Sequence, residues 1–251
     1  MEYWEELKPG GLRMVWDDEL FRPGTDSFLL SSFPKLKSGL RVCDLGSGTG
    51  LLGLLLLQRA ECMDANGLSV TGLEIQARAA ELAEQCAAAN GLDETGRTGA
   101  NSGQMRTLCA DLREVRQILP PGGFDLVVSN PPYYEPGRGR QSPDGIRRLA
   151  RSGCTLADVV RAGAYLLRNG GAFCLCQKPG RLTDALWLLR EADCEPKRAR
   201  FVCRGAADAP SLVLLEGRRG GRPGLAVEPP LVLYRADGSP TAELDRIYFR
   251  I

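Results

Sequence analysis

The sequence predicts an α/β fold on a mostly parallel sheet, with an antiparallel hairpin at the sheet edge. Short apolar runs alternate with helical patterns, as strands joined by crossover helices do. The last two strand patterns follow one another with no helix between them, which calls for a hairpin. The chain has 251 residues, 43% hydrophobic and 25% charged, so a full core can be buried in one large domain.

The elements follow in order. "LRVCDL" (40–45) reads as a strand and "LLGLLLLQRA" (51–60) as a buried helix. "SVTGLE" (69–74) is the next strand, and an Ala-rich helix over 76–90 stops at Asn90-Gly91. "MRTLCA" (105–110) and "FDLVVS" (124–129) are strands. A helix over 155–171 has Thr155 as N-cap and Gly170-Gly171 as its stop. "AFCLCQ" (172–177) is a strand, 181–192 a helix, and 198–204 with 211–217 the closing hairpin, which makes seven strands. Residues 92–104 and 218–224 are polar, Gly-rich loops. Residues 1–38 form a leader, and 39–251 the domain itself.

Composition narrows the chemistry. Histidine is absent, which removes Ser-His-Asp and Cys-His nucleophile systems and histidine-based metal sites. The net charge of +1 gives no global pull toward nucleic acid, so a basic surface must be local. Nine cysteines show no CxxC pairing or other metal spacing, and no metal is expected. Cys43, Cys109 and Cys174 read as buried thiols, and Cys174 and Cys176 share one strand face. No apolar run is long enough to span a bilayer, and the acidic start lacks a secretion pattern, so a cytoplasmic location is expected.

Three strand ends carry candidate ligand groups. "DLGSGTG" (44–50) joins the first strand to a helix, where glycines let backbone amides approach a ligand. A plain tight turn, or Asp44 capping that turn, is the alternative. Glu74 ends the next strand, where it could hold ribose hydroxyls, and Asp111 ends the third, where it could accept from an adenine amino group. The dinucleotide spacing is not matched, because the pattern is G-x-G-x-G, and no Walker lysine is present.

The fourth strand runs into Asn130-Pro131-Pro132-Tyr133. Two prolines cannot extend a ladder and lock the backbone. These four residues resemble the catalytic signature of methyltransferases acting on planar amide or amino nitrogens, in which the Asn130 oxygen can accept one N–H of the amine and the Pro131 carbonyl, held by the prolines, the other. Both bonds favour a more pyramidal nitrogen, and Tyr133 can stack on a base. A rigid turn with a packed tyrosine is the bland alternative.

D-x-G-x-G-x-G, then Glu, Asp and NPPY resemble a Rossmann-like class I S-adenosylmethionine-dependent methyltransferase. Further segments ("FRPGTDSFLLSSF", "GLEIQ", "CTLADVV", "LVLLEG", "YRADGSPTAELDRIY") resemble the bacterial tRNA1(Val) (adenine37-N6)-methyltransferase family from about residue 12 onward. The resemblance implies S-adenosyl-L-methionine held by Asp44, Gly46, Ser47, Gly48, Gly50, Glu74, Ile75, Asp111, Leu112 and Asn130. It also implies that a segment with Arg22, Gly24 and Thr25 closes over the cofactor, although Thr25 or Asp26 could simply cap a helix over 27–33. Asn130, Pro131, Pro132 and Tyr133 are the implied catalytic positions. Family members usually carry Ala-Arg-His-Glu where this chain has Ala150-Arg151-Ser152-Gly153.

Arg138, Arg140, Arg147, Arg148 and Arg151 follow the signature and could grip RNA phosphates, or form a solvated loop. "PKRAR" (196–200) and "GRRGGR" (217–222) add basic character that reads equally as bland surface. The expected activity is methylation of adenine N6 in RNA, with position 37 of a tRNA as the leading target. Methylation of a protein glutamine and a catalytically silent module binding cofactor and RNA are the alternatives.

Overall fold

The computed structural model describes residues 1–20, 24–93, 103–131 and 153–251. Among the described residues, ten strands form two sheets. Strands β1 (Glu2–Glu6) and β2 (Arg13–Asp17) make an antiparallel hairpin of their own, and α1 (Thr25–Ser31) follows. The main sheet holds β3 (Arg41–Leu45), β4 (Ser69–Glu74), β5 (Gln104–Cys109), β6 (Phe124–Ser129), β7 (Leu167–Gln177), β8 (Cys194–Cys203), β9 (Leu212–Arg219) and β10 (Ala226–Val232). Its order is β10-β8-β9-β7-β6-β3-β4-β5. Only β9 pairs antiparallel to its neighbours β7 and β8.

The sheet therefore has eight strands rather than seven, and the β8–β9 hairpin is not its edge. The edge is β10, parallel to β8. Pro229 and Pro230 lie within it, and proline is tolerated only where one side of a strand needs no ladder donor. The same prolines hide the strand from pattern reading.

Strand residues alternate between two apolar layers. Val42, Val128, Cys174 and Cys176 pack with α1, α2 (Leu51–Cys62), α3 (Ala77–Ala89) and the C-terminal helix Ala242–Ile247. Cys43, Val127, Phe173 and Leu175 pack against the helices Leu156–Leu166 and Leu182–Glu191. This is the two-faced burial that parallel strands require. A short helix, Val115–Ile118, was not visible as a pattern; numbered in chain order it is α4, and the three later helices are α5, α6 and α7.

Helix α5 begins as expected. Thr155 accepts from the Asp158 N–H, and Asp158 accepts from the Thr155 N–H, a reciprocal capping box. It ends earlier than expected, because Leu167 turns extended (ψ 132) and the chain enters β7 there, so Gly170 and Gly171 lie inside the strand. Helix α1 is capped by Gly24 with no side-chain bond, so neither Thr25 nor Asp26 is its N-cap. Cys109, expected buried, is exposed at the end of β5, whereas Cys43, Cys174 and Cys176 are buried.

The segment before the sheet is built into the first layer. Arg59 on α2 donates to the Ser31 hydroxyl of α1 at 2.8 Å and to the Ile247 carbonyl of α7 at 2.6 Å. Phe28 stacks on Tyr248 at 4.4 Å between ring centroids. Asp26 pairs with Lys178, just past β7, at 3.8 Å. Helix α1 is thus held beside the carboxyl ends of β6 and β7.

Candidate active site

The site begins where β3 turns into α2. Gly46 and Gly48 adopt φ +73 and +57, conformations that a side chain disfavours, while nothing within 4 Å would obstruct a Cβ at either. Backbone shape, not crowding, calls for glycine there. The Gly48 amide donates to Glu74 Oε2 at 2.9 Å. Glu74 also accepts from the Gln76 amide at 2.9 Å, so the second strand end braces the loop that leaves the first.

Three carboxylates of the strand ends differ in how they are satisfied. Asp44 is 1% exposed, and its Oδ2 has no hydrogen-bond partner. Burial first, and the Glu74 charge second, push its carboxyl up to about 7. Glu74 is 6% exposed and bonded only to loop donors. Asp111 is half-buried and clasped by its neighbour: it accepts from Arg113 Nε at 2.9 Å and from the Arg113 amide at 2.9 Å. The Arg113 guanidinium holds Asp111 below the usual carboxylate range.

Two adjoining hollows, each with a cavity volume of about 80 Å³ and open to solvent, run along these strand ends. One is lined by Gly24, Ser27, Asp44, Ser47 and Gly48. The other is lined by Leu45, Ile75, Asp111, Leu112, Cys154, Val159 and Pro131. Gly46, Glu74, Gln76 and Asn130 border both, so Asn130 stands at their junction. Its Nδ2 donates to Ser27 Oγ at 3.2 Å, and its Oδ1 accepts from Cys176 Sγ at 3.2 Å. A cleft at the carboxyl ends of parallel strands is where open α/β sheets bind ligands.

The structure thus gathers Gly24, Asp44, Gly46, Ser47, Gly48, Glu74, Ile75, Asp111, Leu112, Asn130 and Pro131 around one cleft. Thr25 and Gly50 line neither hollow; Thr25 is exposed at the start of α1, and Gly50 caps α2. Arg22, Pro132, Tyr133, Arg138, Arg140, Arg147, Arg148 and Arg151 lie outside the described residues. Ser27, Gln76, Cys154 and Val159 line the cleft without a sequence expectation. Gln76 was findable by its place just after the strand-end glutamate; Ser27 carries no such signal.

The two basic segments are largely neutralised. Arg198 pairs with Glu216 and with Glu228 at 2.5 and 2.7 Å, Arg200 with Glu243 at 2.7 Å, and Arg218 with Glu216 at 2.9 Å. Arg219 pairs with Asp193 at 3.2 Å. Their bland reading is the one the geometry favours. Among the described residues, no group of three or more Cys, Asp or Glu is placed to hold a metal ion, and no helix is long and apolar enough to cross a membrane.

Residues 15–175 match the family described as methyltransferase small domain. The chain belongs to that family. A tRNA1(Val) (adenine(37)-N6)-methyltransferase of Tolumonas auensis is 30% identical over 242 residues, covering 91% of this chain and 90% of the relative. A protein of the same name from an Enterobacter species is 34% identical over 154 residues, and there the match spans 56% of the relative's length. A crystal structure from Agrobacterium tumefaciens, titled a predicted O-methyltransferase, superposes with a TM-score of 0.67 at 22% identity over 90% of this chain and 96% of that one. The Thermus thermophilus 16S rRNA N2 G1207 methyltransferase, solved with AdoMet and guanosine, superposes with a TM-score of 0.58 at 20% identity, covering 87% of this chain and 50% of that one. Both neighbours show the class I methyltransferase fold.

This methyltransferase uses S-adenosylmethionine. Its cleft fits that donor on the structure's own terms. Asp44 Oδ2 and Ser47 Oγ are buried without partners in residues that line the hollow. An orphaned buried carboxylate is costly unless a cation or an N–H donor meets it. The donor molecule carries both an ammonium and a sulfonium.

Proposed function

We propose that this methyltransferase acts on N6 of an adenine in RNA, with position 37 of a tRNA as the target. The observation that carries it is Asn130 at the junction of the two hollows, with Pro131 beside it. The pair opens a signature that resembles that of methyltransferases acting on planar amide or amino nitrogens. Adenine N6 is a poor nucleophile because its lone pair is spread into the ring. Asn130 Oδ1 accepts one N–H, the Pro131 carbonyl accepts the other, and the nitrogen becomes more pyramidal as its lone pair localises. Tyr133 stacks on the extruded base. The bound S-adenosylmethionine supplies a methyl already activated as an electrophile, so Asn130 and Pro131 need only align the amine, and no histidine is required.

Asp44 and the 46–50 loop, through the Ser47 hydroxyl, hold the methionine part, and Glu74 the ribose. Ile75, Leu112 and Asp111 form the adenine side. Asp111 reaches an amino group while keeping Arg113, since a carboxylate has about four acceptor sites. Support for RNA comes from the names of the relatives and from the five arginines after the signature. A cytoplasmic location follows from a tRNA substrate.

The deciding experiment incubates the protein with labelled S-adenosylmethionine and either total tRNA or total protein, followed by nucleoside and amino-acid analysis. N6-methyladenosine in tRNA is the expected product. Label on protein glutamine, or no label with cofactor and RNA still bound, would replace this function. Asn130→Ala is expected to lower transfer at least about 100-fold with cofactor affinity kept.

A further inference from the structure

We propose that Cys176 and Ser27 are positioning residues that hold the Asn130 carboxamide in its working orientation. The inference rests on the catalytic role given to Asn130 above. A carboxamide has nearly the same shape either way round, but one end accepts and the other donates. If it is turned over, it presents N–H to the N–H of the amine, and no hydrogen bond forms. Some contact must therefore tell its two ends apart.

That contact is built from two elements distant in sequence. Asn130 follows β6 and leaves it on the face of Leu126 and Val128. Cys176 sits on the neighbouring strand β7, on the same face, and is fully buried. Its thiol donates to Asn130 Oδ1 at 3.2 Å, an ordinary length for sulfur. From the other side, Ser27 on α1 is 8% exposed and accepts from Asn130 Nδ2 at 3.2 Å. The thiol, a donor and a poor acceptor, marks the oxygen end; the Ser27 hydroxyl, which can donate or accept, anchors the other end without choosing it. A carbonyl oxygen accepts two hydrogen bonds, so the thiol and the exocyclic amine are compatible at one atom. The Asp26–Lys178 pair at 3.8 Å, one residue beyond Ser27 and two beyond Cys176, keeps α1 against the end of β7.

The test uses the full chain with tritiated S-adenosylmethionine and unfractionated bacterial tRNA. Cys176→Val removes the donor and adds about one methyl group, Cys176→Ala removes the donor without adding volume, and Cys176→Ser keeps a donor. Cys176→Val is expected to lower kcat about tenfold, the effect of one lost hydrogen bond, with KM for tRNA and calorimetric cofactor Kd changed less than about twofold. Cys176→Ser is expected to recover to within about threefold of the parent. In an Asn130→Ala background, Cys176→Val should lower kcat no further. In protein labelled with 15N-asparagine, the Asn130 side-chain amide signal, identified by its loss in Asn130→Ala, should shift in Cys176→Val and return in Cys176→Ser.

Equal kcat in the valine and serine variants, or an unmoved amide signal, would overturn the proposal. Should Cys176→Val fail to melt cooperatively, Cys176→Ala is read in the same way. Full transfer by Asn130→Ala would instead remove the catalytic role of Asn130 itself, and the two failures are told apart by that one variant.

Discussion

Buried charge is handled in opposite ways at the two ends of the strand order. Around β8, β9 and β10, Glu216 is 2% exposed, but Arg198 and Arg218 both bond it. Around β3 and β4, Asp44 is 1% exposed and faces Glu74 with an oxygen unpartnered. The first region satisfies itself and needs nothing from outside. The second is incomplete until something with N–H groups or positive charge enters. Burial of a carboxylate therefore marks a site only when the chain leaves it uncompensated.

The largest expected effect breaks the satisfied end. Glu216→Ala takes the buried partner shared by Arg198, left with Glu228 alone, and Arg218, and should cost about 3–5 kcal/mol of stability, read from urea unfolding at constant m. Cofactor Kd should not move. A loss under about 1 kcal/mol would mean the network is solvated rather than buried.

Asp44→Asn should act in the opposite direction. The Asp44 carboxyl sits at about 7 in the fold against 3.8 ordinarily, so the native state holds a proton that the unfolded chain releases. Its contribution is present below pH ~4 and is lost as pH rises to ~7. The variant should gain on the parent across that window, by on the order of 2–4 kcal/mol at pH 8 without cofactor. It should also bind S-adenosylmethionine more weakly. A variant no more stable than the parent at pH 8 would show that Asp44 is already satisfied.

Cofactor binding by the parent should release protons below pH ~7, because a cationic ligand favours ionised Asp44. Calorimetry at pH 6 in buffers of different ionisation enthalpy reads this directly. Asp44→Asn should release about one proton fewer at most. Equal release by both proteins would assign the proton elsewhere.

The smallest effect belongs to Arg200→Ala. Its side chain is 20% exposed and that of Glu243 is 39%. The pair should contribute about 0.2–1 kcal/mol, less at 1 M salt. A cost insensitive to salt would point to packing of the arginine stem instead.

The sequence made the cleft legible wherever function sits at a strand end in regular order. Asp44, Glu74 and Asp111 lie at or just past the ends of three neighbouring parallel strands, so parallel pairing lines them along one edge of the sheet. Contacts that depend on distant segments left no pattern. Ser27 reaches Asn130 across 103 positions and Cys176 across 46. Strand β1 is exposed at every residue, so no buried alternation announces it. Gly170 and Gly171 looked like a helix stop; they fall instead at the irregularity of β7 between its Leu167 and Ala172 pairings with β6, with Gly170 at φ +74.

Pro229 and Pro230 have a consequence for the protein in company. A second chain approaching β10 edge to edge would meet a proline with no amide hydrogen to offer, and its ladder would stop there. The same pair interrupts the inward register with β8 between Glu228 and Leu231, so the sheet gives up a stretch of its own ladder where it stops other chains from adding to it.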